Sequence, residues 1–224
     1  MKHSLFIAPH PDDETLGCGG TILKEKAKGN KVSWLIVTNM DESVNFTAKR
    51  IASREKEIQE VAQKFRFNHV IRLNYFMGQL DQQPLGNIIS DIGKVVKDLK
   101  PSCLYIPYPG DIHSDHDIVY KASVACSKWF RYSSINSIFI YEVRSETDFC
   151  IEPDRAGFRP NFYVSITEFL GKKIEILNLF EGEILEHPFP RSESSIRALA
   201  TLRGAESGTN AAEAFMLLKH IDSR

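Results

Sequence analysis

Apolar and polar positions along the chain fall into two alternating rhythms. Ser4 to Ala8 is a short apolar run of the kind that forms a buried strand, and helical spacing follows from Thr15 to about Lys28, ending at Gly29-Asn30. The alternation continues with a strand over Lys31 to Thr38, a helix over Thr47 to Phe65 and a strand over His69 to Leu73. A helix over Leu85 to Leu99 stops before Pro101, and Cys103 to Pro107 forms the next strand. Asp115 to Phe130 reads as a helix with Ile118, Ala122, Ala125, Cys126 and Trp129 on one face, and Ser137 to Val143 as a strand. Strands alternating with helices predict an α/β fold, a Rossmann-like and mostly parallel sheet with helices on both faces.

The sheet is expected to end near residue 145. Between Glu146 and Pro160 the pattern is irregular, with Pro153 and Gly157 inside it. Asn161 to Ser165 reads as one more strand, followed by helices near Glu168 to Phe180, Ser192 to Arg203 and Thr209 to His220, with Gly204 as a helix cap. Residues 1–224 are therefore expected to form one domain: a Rossmann-like core over 1–145 and a helical extension over 146–224 packed on it.

Composition narrows the function. With 42% apolar residues in 224, the chain can bury a sizeable core without disulfides. The 28 basic against 29 acidic side chains disfavour a nucleic-acid binder held by phosphate neutralisation, and weakly disfavour polyanionic partners generally. No apolar run approaches the ~20 residues that span a bilayer. Leu5 to Ala8 is too short for the core of a secretory signal, so a cytoplasmic location is expected. Cys18, Cys103, Cys126 and Cys150 are scattered, with no Cys-x-x-Cys pair, and read as packed thiols.

The chemistry concentrates in two clusters. His10-Pro11-Asp12-Asp13-Glu14 follows the first strand, at the carboxyl end where open α/β sheets bind ligands. Three carboxylates and an imidazole within five residues repel one another unless a cation sits among them. The plain alternative is acidic capping of the helix that follows, which leaves the prolines flanking the histidine unexplained. Asp111-Ile112-His113-Ser114-Asp115-His116 occupies the equivalent end of the Cys103 to Pro107 strand, with His113 and His116 one helical turn apart; capping by Ser114 or Asp115 is again the alternative. Histidine and aspartate from two strand ends of one sheet are suitable zinc ligands. Gly17-Cys18-Gly19-Gly20 hints at a dinucleotide loop, but the acids before it would repel a pyrophosphate.

His10-Pro11-Asp12-Asp13-Glu14 together with His113-Ser114-Asp115-His116 resembles the paired motifs of the LmbE-like, or PIG-L, family of zinc-dependent de-N-acetylases acting on N-acetylglucosamine-type sugars. Arg54-Glu55-Lys56-Glu57, Arg203-Gly204 and Ala212-Glu213-Ala214-Phe215 extend the likeness over nearly the whole chain. Two further segments, Tyr141 to Thr147 and His187 to Ser192, resemble the branch associated with surface-polysaccharide sugars. The resemblance implies that His10, Asp13 and His116 hold zinc, with Asp12 as general base for a water on the metal. It implies that a protonated His113, oriented by Asp115, is the second catalytic group, and that Arg54 binds substrate; read from the helix alone, Arg54 projects into the apolar stripe of Ile51, Ile58, Val61 and Phe65, where a buried salt bridge to Glu57 or Asp13 is the alternative.

Two histidines and an aspartate would also accept iron, manganese or cobalt. Many family members place an acid before the glycine after the third strand; Met77-Gly78 stands here, and Asp81 is the candidate replacement for sugar binding. Family members are often homo-oligomers. The expected reaction removes acetyl from a small-molecule 2-acetamido sugar, free or linked to a nucleotide or lipid. The alternatives are a metal amidase or esterase on a non-sugar substrate, and a non-catalytic sugar- or nucleotide-binding protein.

Overall fold

The structure is a computed structural model and describes residues 1–151 and 157–222. The chain runs β1 (His3–Ala8), α1 (Asp13–Ala27), β2 (Lys31–Asn39), α2 (Ala48–Phe65), β3 (His69–Phe76), α3 (Leu85–Leu99), β4 (Cys103–Pro107), α4 (Ser114–Ala125) and β5 (Ser137–Tyr141). It continues with β6 (Phe162–Ser165), α5 (Leu170–Leu177), α6 (Glu193–Ser207) and β7 (Ala212–His220). One sheet of order β3-β2-β1-β4-β5-β7-β6 takes up the seven strands of the described residues. The first five strands pair in parallel, in registers such as Phe6 with Trp34, Phe6 with Tyr105 and Tyr105 with Phe139. β7 runs antiparallel to both β5 and β6.

Side chains alternate across this sheet and build two cores. Leu5, Ile7, Leu35, Leu104 and Ile106 face α3 and α4, which contribute Ile88, Ile92, Val119 and Ala122. Phe6, Trp34, Tyr105, Phe139 and Phe215 face the other way, toward Leu16 and Ile22 of α1, Ile58 and Val61 of α2, and Ile174 of α5. Tyr105 stacks on Phe6 at 4.3 Å and on Phe139 at 5.0 Å between ring centroids. Burying each such side chain contributes about 1.5–3 kcal/mol, so the doubly covered sheet is the rigid part of the molecule.

The expected parallel layer is present, and four expectations are corrected. Residues 212–220 form a strand, not a helix. Inserted between β5 and β6, this segment has its backbone groups paired on both sides, with Tyr141 opposite Phe215 and Val164 opposite Glu213, and that pairing overrides helix-forming Ala, Glu and Leu. The sheet therefore does not end near residue 145; the extension adds two strands to it, besides α5 and α6. α4 stops at Ala125, and Trp129, expected on the apolar face of that helix, lies in the turn beyond, 69% exposed. Gly204 is buried inside α6, where a Cβ would meet Thr209 O at 2.5 Å, and the left-handed cap is Gly208.

Gly17 to Gly20 lie within α1 and not in a phosphate loop. A Cβ on Gly20 would come within 2.5 Å of Ile166 Cγ2, so glycine here lets the helix close on the chain after β6. Glu213 of β7 fixes that approach by accepting hydrogen bonds from the N–H groups of Gly20 and Thr21, both at 2.8 Å. Lys173 Nζ, 2.7 Å from Glu213, also donates to Leu16 O. The strand order reverses between β1 and β4, and both His/Asp clusters follow these two neighbouring strands. A ligand crevice belongs there.

Candidate metal centre and active site

β1 ends at Ala8 and α1 begins at Asp13, so only four residues make the turn. Thr38 of β2 closes it, donating to Pro9 O from both its N–H at 3.0 Å and its hydroxyl at 2.7 Å. Arg54 of α2 donates to Pro11 O at 2.6 Å. Asp12 sits at the helix entry with φ 145°, a conformation that costs a non-glycine residue about 1–3 kcal/mol and is retained where the surroundings dictate it. Asp13 does not cap the helix; its Oδ2 accepts the N–H of His10 at 2.8 Å.

Three side chains converge under this turn. Asp13 Oδ2 lies 3.3 Å from His10 Nδ1 and 3.3 Å from Nε2 of His116, which α4 brings in from the second cluster. One donor atom from each residue fits within a 4.8 Å group, and all three residues are buried. The outer imidazole nitrogens are held by carboxylates: His10 Nε2 by Asp115 at 3.0 Å, and His116 Nδ1 by Asp111 at 2.7 Å. Carboxylate-braced histidines of this kind are typical of metal ligands. His116 Nε2 is fully buried yet makes no hydrogen bond, which leaves it pointing at the place where the donors meet. The two imidazoles and the carboxylate therefore fit a divalent transition metal. His10, His113 and Asp115 form a second close group. Its carboxylate is already spent on Gly78 N at 2.7 Å and Leu80 N at 3.2 Å, so the first group is the better ligand set.

Charge in this pocket is tightly paired. Burial opposes protonation of both ligand histidines, but Asp115 and Asp13 raise His10 to about 9, and Asp13 with Asp111 raises His116 to about 10. Asp13 is held well below the usual carboxylate range because His116 and His10 outweigh its burial. Burial pushes Asp12 up to about 7 against the pull of Arg191, whose Nη1 is 2.9 Å from Asp12 Oδ2.

His113 and Asp115 do not make the expected carboxylate–imidazole bond. The Nδ1 of His113 instead accepts the backbone N–H of Asp115 at 3.2 Å, capping α4, while the Asp115 carboxylate turns to His10. Burial, with His10 nearby, lowers His113 to about 4, so its ring is neutral with the proton on Nε2. The His113 and His10 rings lie 4.4 Å apart.

A cleft of about 220 Å³ opens beside Asp12 and His113. Arg54 lines it but is only 3% exposed, with its Nε 3.1 Å from Glu57 and its Nη2 paired with Glu183. The guanidinium thus braces the turn through Pro11 and is not presented to a sugar. Asp81 is exposed on the turn Leu80–Gln82 and does not line the cleft, whereas Met77 does. Glu146, Glu183 and Arg191 also line it, and no residue pattern had marked them as functional. The only signal was that Arg191 falls in the family-like segment His187 to Ser192 and Glu146 in Tyr141 to Thr147. Asp111 stood in the second cluster without a role.

The chain is similar to several known proteins. The family model described as PIG-L, GlcNAc-PI de-N-acetylase, matches residues 5–127. Diacetylchitobiose deacetylase of Thermococcus kodakarensis is 23% identical over 237 residues, covering 99% of this chain and 85% of that protein. A probable N-acetyl-alpha-D-glucosaminyl L-malate deacetylase 2 of Bacillus anthracis is 29% identical over 129 residues, covering 54% of this chain and 57% of its own. The solved structure of N,N'-diacetylchitobiose deacetylase from Pyrococcus horikoshii has the same fold, with a TM-score of 0.79 and 23% identity over 97% of this chain and 84% of that one.

Proposed function

The chain belongs to the PIG-L family, and we propose that it hydrolyses the acetamide of a 2-acetamido sugar with a bound divalent metal, zinc by preference, releasing acetate and a free amine. The reading is carried by one observation: one donor atom each from His10, Asp13 and His116 forms a single close group, while Asp12, next to Asp13 in the chain, lies outside that group and lines the same cleft as His10. The relatives acting on diacetylchitobiose and on a glucosaminyl malate support the substrate class.

His10 Nδ1, Asp13 and His116 Nε2 would hold the metal, which supplies Lewis acidity toward water and an amide carbonyl. Asp12 is the general base. Arg191 holds one of its carboxylate oxygens, and the other takes the proton of the attacking water. Neutral His113 donates from Nε2 to the oxygen that gains charge as the carbonyl becomes tetrahedral, since its Nδ1 is committed to the helix N–H. The proton on Asp12 then passes to the leaving nitrogen, and the carboxylate is restored. Asp115 and Asp111 keep the two ligand imidazoles in the tautomer and orientation that binding needs.

No described helix is long and apolar enough to cross a membrane. We place the reaction in the cytoplasm, on a sugar destined for a surface polysaccharide, in line with the segments Tyr141 to Thr147 and His187 to Ser192. Amine release from N-acetylglucosamine derivatives, measured with metal-loaded and chelated protein side by side, tests the proposal. Metal-dependent release is expected; metal binding without cleavage of any acetamide would overturn it.

A further inference from the structure

Besides the candidate catalytic residues, two unlike sets of side chains line the cleft beside Asp12. Arg54, Glu146, Glu183 and Arg191 make the charged one, and both arginines are already matched. Arg191 donates from Nη1 to Asp12 and Glu183, each at 2.9 Å, from Nη2 to Glu146 at 3.2 Å and from Nε to Ser145 Oγ at 2.7 Å. Arg54 is paired with Glu57 and Glu183 and holds the Pro11 carbonyl. Among the described residues lining the cleft, carboxylates outnumber guanidinium groups and no lysine contributes. The other set is Met40, Phe46 and Met77, which bring no charge and no hydrogen-bonding side chain.

An anionic group entering this space would have to take a guanidinium away from a buried carboxylate, leaving that carboxylate unpaired, or lie beside Glu146 and Glu183 without a partner. Both are unfavourable where the Arg191, Asp12 and Glu146 side chains are so little exposed. The C–H faces of a sugar ring suit the thioether and phenyl surfaces of Met40, Met77 and Phe46, and its hydroxyls can donate to the carboxylates without disturbing their ion pairs. We infer that the substrate is an uncharged acetamido glycan or glycoside, with no phosphate, nucleotide or carboxylate next to the reacting sugar.

This rests on the deacetylase proposal above. The test is amine release by the metal-loaded protein from four N-acetylglucosamine compounds: the methyl glycoside, diacetylchitobiose, the 1-phosphate and the malate glycoside. The two neutral compounds are expected to show at least about tenfold higher kcat/KM than the two anionic ones, the scale of one unmet charge contact. Met77→Arg, which adds an unmatched cation to the apolar set, is expected to narrow that ratio. Equal or higher kcat/KM on the anionic compounds overturns the inference and leaves deacetylation standing, as does an unchanged ratio in the folded Met77→Arg variant. Amine release from none of the four overturns both.

Discussion

The Asp115 carboxylate lies 3.0 Å from His10 Nε2 across 105 residues of sequence, so the second cluster braces the candidate ligand supplied by the first. The same residue ties down the chain after β3 by accepting the N–H groups of Gly78 and Leu80. Removing its charge in Asp115→Asn should weaken metal binding by about 10–100-fold. Competition with a chromophoric chelator measures this directly. Unchanged affinity would mean that His10 needs no brace.

Metal binding should release protons. In the protein alone His10 is raised to about 9 and His116 to about 10, so both imidazoles carry a proton at neutral pH, and ligation must displace about two protons. Affinity should therefore fall as pH falls. The sign for stability without metal is the opposite: histidines raised above their ordinary value contribute stability that is full at mildly acidic pH and lost as pH rises through about 9 and 10. Calorimetry of metal binding in buffers of different ionisation enthalpy counts the protons; a count near zero would contradict the pairing described.

Arg191 comes from the segment before α6 and meets Asp12, the proposed general base, at 2.9 Å. Its charge opposes the upward push of burial on Asp12. In Arg191→Ala that opposition is gone, the base is ionised only at higher pH, and the acid limb of the kcat profile should move upward, with kcat at neutral pH reduced about 10-fold or more. Arg191→Lys keeps the charge and should recover part of the loss. An acid limb that stays in place in Arg191→Ala would separate Arg191 from Asp12.

Gly20→Ala tests how α1, and with it Asp13, is seated. The added Cβ would lie 2.5 Å from Ile166 Cγ2 and 2.6 Å from Ile166 Cβ, so one of the two elements must shift. A destabilisation of about 1–3 kcal/mol is expected, a drop of roughly 2–10 °C in Tm. Gly29→Ala, at a solvent-facing turn of φ 75°, separates the effect of close packing from that of backbone strain.

Local pattern carried the parallel half of the fold because its central strands are short continuous apolar runs buried on both faces, and α2 and α3 each bury one apolar stripe at helical spacing. β7 was not legible: Ala212-Glu213-Ala214-Phe215 favours a helix, and only the partners β5 and β6, remote in sequence, make it a strand. Trp129 was misplaced because the helical period runs on past Ala125 while the chain there turns off, with Cys126 and Ser127 donating to Ser123 O and Val124 O in tight i→i−3 bonds. In the site, His10, Asp12, Asp13, His113 and His116 were legible because they crowd two short motifs at adjacent strand ends. Arg191 and Glu183 are far from both motifs, and what makes them part of the site is a salt-bridge network that no spacing encodes. The partner of Asp115 was hidden for the same reason, since His113 is nearer in sequence but His10 is nearer to its carboxylate.

The most direct measurement is acetate release from an N-acetylglucosamine glycoside by the wild-type protein and by Asp12→Asn, with bound metal quantified in both. Asp12 is outside the ligand set, so the variant should retain about one metal per chain while turnover falls by about 10²–10⁴-fold. Turnover near the wild-type level in metal-loaded Asp12→Asn, or no acetate from the metal-loaded wild type, would contradict the account.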